Sequence, residues 1–366
     1  MALRRAAGLV LEIRDEQVLD VAALLGGTVT VERASKLVAT TPLGEEHELS
    51  PDDLRALLEP GDDEATARLA SLRILVEDEP GDGGWHPDAA RFHFATRWRD
   101  VAPAASFEPQ PSDQEFATAG LETLRATLGA PPPHFHRAGD GDAAAALPSG
   151  RRDGDLYRLL VGRETRRSFD SARPTTRDEL ATVLRYTVGC HGAAQLLDDL
   201  VVLKKTVPSS GGLHAIEAYP LVACVDGVAP GLYHYDVERH QLAPIELLDD
   251  AAAERLVLEA TGQAYLRSAH VLLILTARFE RSFWRYRRHP KAYAALLMDA
   301  AHVSQTLYLV CTDLGLGAFV SAAINNASLD DRLGLDPLRE GVVLACGFGR
   351  PAADELRQGF EPFEPV

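Results

Sequence analysis

The stretch VPSSGGLHAIEAYP, residues 207–220, decides the fold. Pro208 stiffens the entry to a loop. Ser209 and Ser210 offer hydroxyls and backbone N–H groups, and Gly211 and Gly212 let the main chain approach a flat ligand closely. Reading outward, AYPLVACVD (218–226), GLYHYDV (231–237), HVLLILTARF (270–279) and GVVLACGFG (341–349) carry the apolar, β-branched character of strands. Upstream, PTTRDELATVLRYTVG (174–189) has a capping box, with Thr176 as N-cap, Glu179 three residues on, and Leu180, Val183 and Leu184 behind it. Downstream, the longest helix is expected to start near Pro290 and run to about Gly317. Its nearly all-round apolar surface marks a buried helix, often one at a subunit interface. Strands and helices alternate irregularly, so the predicted class is α+β.

The N-terminal third reads differently. LVLEIRD (9–15) and TVTVERASKLVATT (28–41) alternate as strands, with a turn predicted around Arg33 to Ser35. HELSPDDLRALLEP (47–60) reads as a helix capped by Ser50, with Pro51 at its first position and a Leu54, Leu57, Leu58 stripe. EATARLASLRILVED (64–78) reads as a second helix running into a strand. This order suggests a winged-helix-like module over residues 1–100, serving either to hold a peptide or as a structural extension. Residues 101–153, rich in Pro, Gly, Ala and Asp, read as a linker, and 154–366 as one continuous domain. The His134 and His136 pair lacks further ligands nearby and reads as solvent-exposed loop, so no metal site is expected.

Lys and Arg number 37 against 54 Asp and Glu, a net charge of −17. Such a surface repels phosphate backbones, which excludes nucleic acid as the expected partner. The four cysteines are scattered without CxxC spacing. Cys224, Cys311 and Cys346 lie in apolar runs and read as buried packing in a reducing compartment. Glu12 and Asp15 interrupt the opening apolar stretch, which argues against a signal peptide. No segment reads as the ~20 apolar residues of a membrane span. A cytoplasmic location, with no membrane partner, is the expectation.

Two further segments carry chemistry. RETRRSFD (163–170) sets Arg166, Arg167 and Ser168 before a capped helix, and guanidinium forks with a hydroxyl suit a phosphate. FWRYRRHP (283–290) places a basic aromatic cluster before the long helix, and a GLGA turn, Gly315 to Ala318, follows that helix. In this order the segments resemble the nitroreductase fold, and within it the SagB-type dehydrogenase branch, most of all its peptide maturation dehydrogenases. The resemblance covers roughly residues 154–350. It rests on Arg166-Arg167-Ser168, on Pro208 to His214 with Glu217 and Tyr219, on Gly231 to Asp236, on His302 and Gln305, and on the GLGA turn.

The resemblance implies FMN bound at a homodimer interface. Arg166 and Ser168 would meet its phosphate and ribityl chain, with Arg350 reaching the phosphate. Pro208, Ser209, Ser210 and Gly211 would lie along the ring, faced from the other side by the GLGA turn and Ala322-Ala323. His214 would contact substrate. Arg285-Tyr286 falls at the Lys-Tyr position assigned as catalytic base in thiazole- and oxazole-forming relatives. Arginine takes no proton, so the role would pass to Tyr286 if Arg285, Arg287 or Arg288 lowered its phenol pKa; the other reading of the cluster is a solvated patch or one that binds a peptide carboxylate or phosphate. Departures are Asp170, where the branch has Arg or Lys, and Ala322-Ala323, where it has glycines. His234 reads as a hydrogen-bonded strand histidine and His302 as a core residue.

The implied activity is dehydrogenation of a ribosomally made, modified peptide, with hydride passing to flavin N5. Two other readings remain open. One is NAD(P)H-dependent reduction of dehydroamino acids or nitro compounds. The other is a peptide-binding scaffold whose flavin site has decayed.

Overall fold

The computed structural model describes residues 3–6, 8–19, 31–41, 45–77, 84–102, 151–198 and 200–353, with scattered positions between 122 and 150. The linker expected over 101–153 therefore lies mostly outside the described residues, as does His136.

A six-stranded sheet organises the larger unit. Its strands are β9 (Ile216–Val222), β11 (Gly231–Asp236), β12 (Gln241–Leu247), β13 (Val271–Arg278), β14 (Gly317–Ser321) and β15 (Glu340–Gly349), in the order β12-β11-β9-β13-β15-β14. Every neighbouring pair is antiparallel. The central strand β13 is buried on both faces, which explains why VLLILTA runs apolar without alternation.

One face, through Val271, Leu273 and Leu275, packs on α5 (Arg177–Thr187) and the long helix α8 (Ala292–Asp313). The other, through Leu272 and Ile274, packs on α6 (Asp250–Thr261) and α9 (Asn326–Leu333). This is the predicted α+β class. The capping box predicted for α5 is present, with Thr176 Oγ accepting from Glu179 N and Glu179 accepting from Thr176 N.

The long helix corrects two expectations. It has 22 residues and is apolar enough to cross a membrane by length and composition, so the chain does hold a segment of spanning size. Here it is a core helix, with Leu296, Ala300, Val303, Leu307 and Cys311 packed against the sheet. His302 is exposed on its outer face rather than buried in the core. A helix apolar on nearly every side leaves the sequence with little signal for which face turns inward.

The N-terminal strands form two small antiparallel groups. β1 (Leu3–Arg5) pairs with β5 (Leu75–Glu77), and β2 (Val10–Leu19), β3 (Val31–Thr40) and β4 (Glu46–Leu49) form a three-stranded sheet. The turn predicted at Arg33 to Ser35 is absent, because β3 runs straight through it and Arg33 pairs with Gln17. Helices α1 (Pro51–Leu58) and α2 (Glu64–Ser71) complete the unit. Ser50 caps α1 as predicted, with Pro51 in its first turn. Ala39, Leu49, Leu57, Leu69 and Ile74 give this unit its own small core.

Residues 84–101 pack instead with the larger unit. Trp85 is buried against Phe279, Phe283 and Tyr293, and its indole N–H donates to Leu338 O at 2.8 Å. From α3 (Pro87–Ala95), buried His93 meets the Tyr293 hydroxyl at 3.0 Å. Beyond it, Arg97 pairs with Asp330 and Arg99 with Asp331 on α9.

Candidate active site

The loop between β8 (Leu200–Lys204) and β9 is held from beneath by one carboxylate. Asp299, on α8 and 5% exposed, accepts from Ser209 Oγ (2.7 Å), Ser210 Oγ (3.1 Å) and Ser210 N (3.1 Å to each oxygen). Ser209 Oγ also accepts from His214 N at 2.9 Å. Both serine hydroxyl protons thus point into the protein. Gly211 and Gly212 take left-handed φ values of 63° and 68°, which glycine adopts without a Cβ penalty.

Helix α7 (Phe279–Arg285) also contacts the loop. Arg281 Nε donates to Leu213 O (2.6 Å), and Arg285 Nη1 donates to Gly211 O (3.3 Å). The Tyr286 ring, with the Arg285 guanidinium 5.6 Å from its centroid, reaches so close that a Cβ on Gly211 would lie 2.5 Å from the Tyr286 hydroxyl. Arg285 and Tyr286 are therefore brought onto the glycine of the loop from more than 70 residues away.

The arginine segment forms a second cluster. Residues 165–169 run extended between β14 and the chain that leaves β15: Thr165 bridges Ala318, Phe169 bridges Pro351, and Arg166 N donates to Ala318 O at 2.8 Å. Alternation follows, with Arg166 buried, Arg167 exposed, Ser168 half-buried and Phe169 buried. Gly317 permits this approach, since a Cβ there would meet Arg166 Cβ at 2.6 Å.

Acidic neighbours already engage the cations of this cluster. Arg166 Nε lies 3.1 Å from Glu164, and Arg350 Nη2 lies 2.6 and 2.8 Å from the oxygens of Glu179. Asp170 turns its carboxylate to Arg173 Nε (2.7 Å) and Ala172 N (3.0 Å). The Arg173 contact holds the Asp170 carboxyl below the usual range, so its charge is offset locally.

The remaining predicted residues fall around these two clusters. His214 is half-buried, with Nε2 3.2 Å from Leu203 O. Burial, then the charge of Lys205, lowers its pKa, which leaves a neutral ring. Ala322 is exposed, and Ala323 O accepts from Gln263 Nε2 at 2.8 Å. Pro208 is exposed at the loop entry. His234 pairs with Glu217 at 3.5 Å, as a strand histidine should. Of the cysteines, Cys311 and Cys346 are fully buried, while Cys224 is half-exposed beside the loop that carries Ser171, against expectation.

Sequence reasoning missed Asp299 and Lys205. Asp299 is an acidic residue inside an apolar helix, and that was its only local signal. Lys205 is buried three residues before Pro208, and burial lowers its ammonium pKa. Among the described residues no group of three or more His, Cys, Asp or Glu is arranged to hold a metal ion.

The six-stranded sheet thus carries a glycine loop at one cluster and an arginine segment at another. The model of the nitroreductase family matches residues 160–350, just over half of the 366, and the chain belongs to that family.

Two curated relatives stand out. A Methanocaldococcus jannaschii protein named as a nitroreductase is 33% identical over 195 residues, which is 53% of this chain and 90% of the relative. The trifolitoxin-processing protein TfxB of Rhizobium leguminosarum bv. trifolii is 33% identical over 169 residues, which is 45% of this chain and 41% of TfxB. Among solved structures, the E. coli microcin synthetase McbBCD complex aligns over 71% of this chain and 91% of the matched chain, at 17% identity and a TM-score of 0.49.

Proposed function

We propose that this chain is an FMN-dependent dehydrogenase of the SagB type, acting on a ribosomally made, modified peptide. The observation that carries the proposal is the seat of Tyr286 on Gly211. A phenol set against the loop expected to hold the flavin ring is where a substrate proton has to go. FMN, when bound, supplies the hydride chemistry. Tyr286, once ionised to the phenolate, would take the proton released from the substrate carbon and become the neutral phenol. Arg285, always protonated, fixes the Gly211 carbonyl and the Tyr286 ring rather than acting as base. Arg166 and Ser168 hold the phosphate end, with Arg350 available once it leaves Glu179. His214, neutral, offers Nδ1 toward substrate.

The peptide class is supported by the likeness to TfxB, a protein named for trifolitoxin processing. The separately cored N-terminal unit is the candidate leader-binding module. A homodimer is supported by the outer face of α8, where Ala294, Met298, Ala301, His302 and Gln305 line up exposed at helical spacing, with Met298 63% exposed. In this reading the protein works in the cytoplasm.

The test is the visible spectrum of the purified protein, with the chromophore identified after denaturation. Flavin bands and released FMN are expected. A protein that stays colourless with added FMN would overturn the reading in favour of a peptide-binding scaffold.

A second reading, NAD(P)H-dependent reduction, is favoured by the Methanocaldococcus relative named as a nitroreductase. Steady NADPH consumption with a nitro compound or dehydroamino acid, and none of the peptide oxidation, would select it.

A further inference from the structure

We infer that Asp299 is the positioning residue of the flavin loop and that its charge tunes the balance between oxidised and reduced flavin; this rests on the reading of residues 208–211 as the loop that meets the flavin ring. A carboxylate only accepts hydrogen bonds. Asp299 takes the hydroxyl protons of Ser209 and Ser210 and the N–H of Ser210. All of its donors therefore come from the loop. Among the described residues it forms no ion pair. Its charge is met by three neutral donors alone, beneath the segment that would face the ring.

Two consequences follow, one of position and one of charge. By drawing both hydroxyls inward, Asp299 fixes which way the loop's hydrogen bonds run. Ser209 Oγ then has an acceptor site for His214 N, and Gly211 and Gly212 are held in the left-handed conformation that seats Tyr286. The charge, buried and with no ion-pair partner among the described residues, would oppose the added electron density of reduced flavin. Removing the charge favours the reduced form. Removing a donor while keeping the charge leaves the carboxylate less compensated and favours the oxidised form.

Asp299→Asn and Ser209→Ala therefore shift the flavin midpoint potential in opposite directions. The Asn variant, whose amide N–H groups also confront the donors of Ser210, should move positive by a roughly tenfold change in relative affinity, about 30 mV for a two-electron couple. Ser209→Ala should move negative. A purely structural role would shift both variants the same way.

The positional half is read without flavin, by amide hydrogen exchange of the apoprotein. Ser210 in Asp299→Asn, and His214 in both variants, should exchange at least tenfold faster while α8 keeps its protection. Unchanged exchange of these amides, or potentials that move together or not at all, overturns the inference. If the wild-type protein retains no FMN, the functional proposal fails on its own account. The exchange experiment still decides whether Asp299 positions the loop. Ser209→Ala, the milder change, serves if Asp299→Asn does not fold.

Discussion

The two ends of the candidate site are held by opposite means. The loop at Ser209–Gly211 is tied down by side chains: the buried carboxylate of Asp299 and the Arg285–Tyr286 pair. The arginine segment at 165–169 is held by its backbone, laid between β14 and the exit of β15, and its charged side chains meet nearby acids. The loop is therefore set before any ligand arrives. At the other end, under the proposed reading, an incoming phosphate would have to compete with Glu164 and Glu179 for the guanidinium groups. If the loop meets the flavin ring and the arginine segment its phosphate, as proposed, one end is preorganised and the other exchanges partners.

The sharpest way to break this comparison is at Gly211. Gly211→Ala forces a Cβ into a left-handed residue and to 2.5 Å from the Tyr286 hydroxyl. The left-handed strain alone costs about 1–2 kcal/mol, and Tyr286 has to move. The expected outcome is a hundredfold or greater loss of turnover, with the global melting temperature lowered by only a few degrees. The comparison variant, Tyr286→Phe, should lose turnover while loop amide exchange stays as in the wild type. Steady-state kinetics with exchange measurements on both variants checks this.

That experiment also marks the border of what the sequence shows. A Gly-Gly pair after Pro-Ser-Ser is legible because the requirement is local: positive φ is a property of the residue itself. The same holds for the caps at Thr176 and Ser50, where donor and acceptor lie three residues apart. Asp299 was not legible, because its partners are about 90 residues away and only the packing of α8 under the loop joins them. The turn expected at Arg33–Ser35 is instead part of β3, since polar residues inside a strand resemble turn residues. The β7 (Gly192–Leu197) and β8 hairpin, and the packing of Trp85 into the larger core, were not foreseen. Composition sets a boundary near residue 100, but burial assigns residues 84–101 to the larger unit.

At the arginine end the backbone is the vulnerable part. Gly317→Ala would bring a Cβ to 2.6 Å from Arg166 Cβ and 3.3 Å from the Phe169 ring. Overpacking of this kind costs about 1–3 kcal/mol. Thermal melting should fall by several degrees and FMN affinity should drop, because the extended segment must shift off β14. If FMN affinity falls with no loss of stability, the segment is softer than its backbone ladder implies.

Glu179 tests the competition directly. It completes the α5 capping box and binds Arg350 with both oxygens. Burial alone would raise its carboxyl pKa, but the Thr176 N–H and the Arg350 hydrogen bond outweigh this and hold it below the usual range. Glu179→Gln should cost about 1 kcal/mol of stability through the weakened cap, yet tighten FMN severalfold by releasing the guanidinium. Arg350→Ala should weaken FMN about tenfold. Isothermal titration of both variants distinguishes a phosphate ligand from a residue that only seals α5, for which neither substitution would alter FMN affinity.

The smallest effect lies away from both clusters, on the sheet face that carries Tyr219. There Glu217 pairs with His234 at 3.5 Å and with Arg278 at 3.5 Å. Burial would push the Glu217 carboxyl up, but the His234 hydrogen bond and the charges of Lys205 and Arg278 hold it down. The Glu217 hydrogen bond raises His234 in turn. For His234, a folded-state pKa above the unfolded value means that the stabilisation is complete below about pH 6.5. It is lost as pH rises through the raised folded-state value. For Glu217 the contribution is present above about pH 4.3 and is lost as pH falls through its lowered value. His234 is more than a third exposed, so solvent screening keeps the pair within about 1 kcal/mol. Denaturant midpoints should therefore peak between these limits and decline gently on the alkaline side. Glu217→Gln should flatten that decline without changing FMN binding, since neither cluster of the candidate site draws on this pair. If it alters FMN binding as well, the motif that carries Glu217 and Tyr219 is coupled to the loop, and the two-ended description of the site needs a third part.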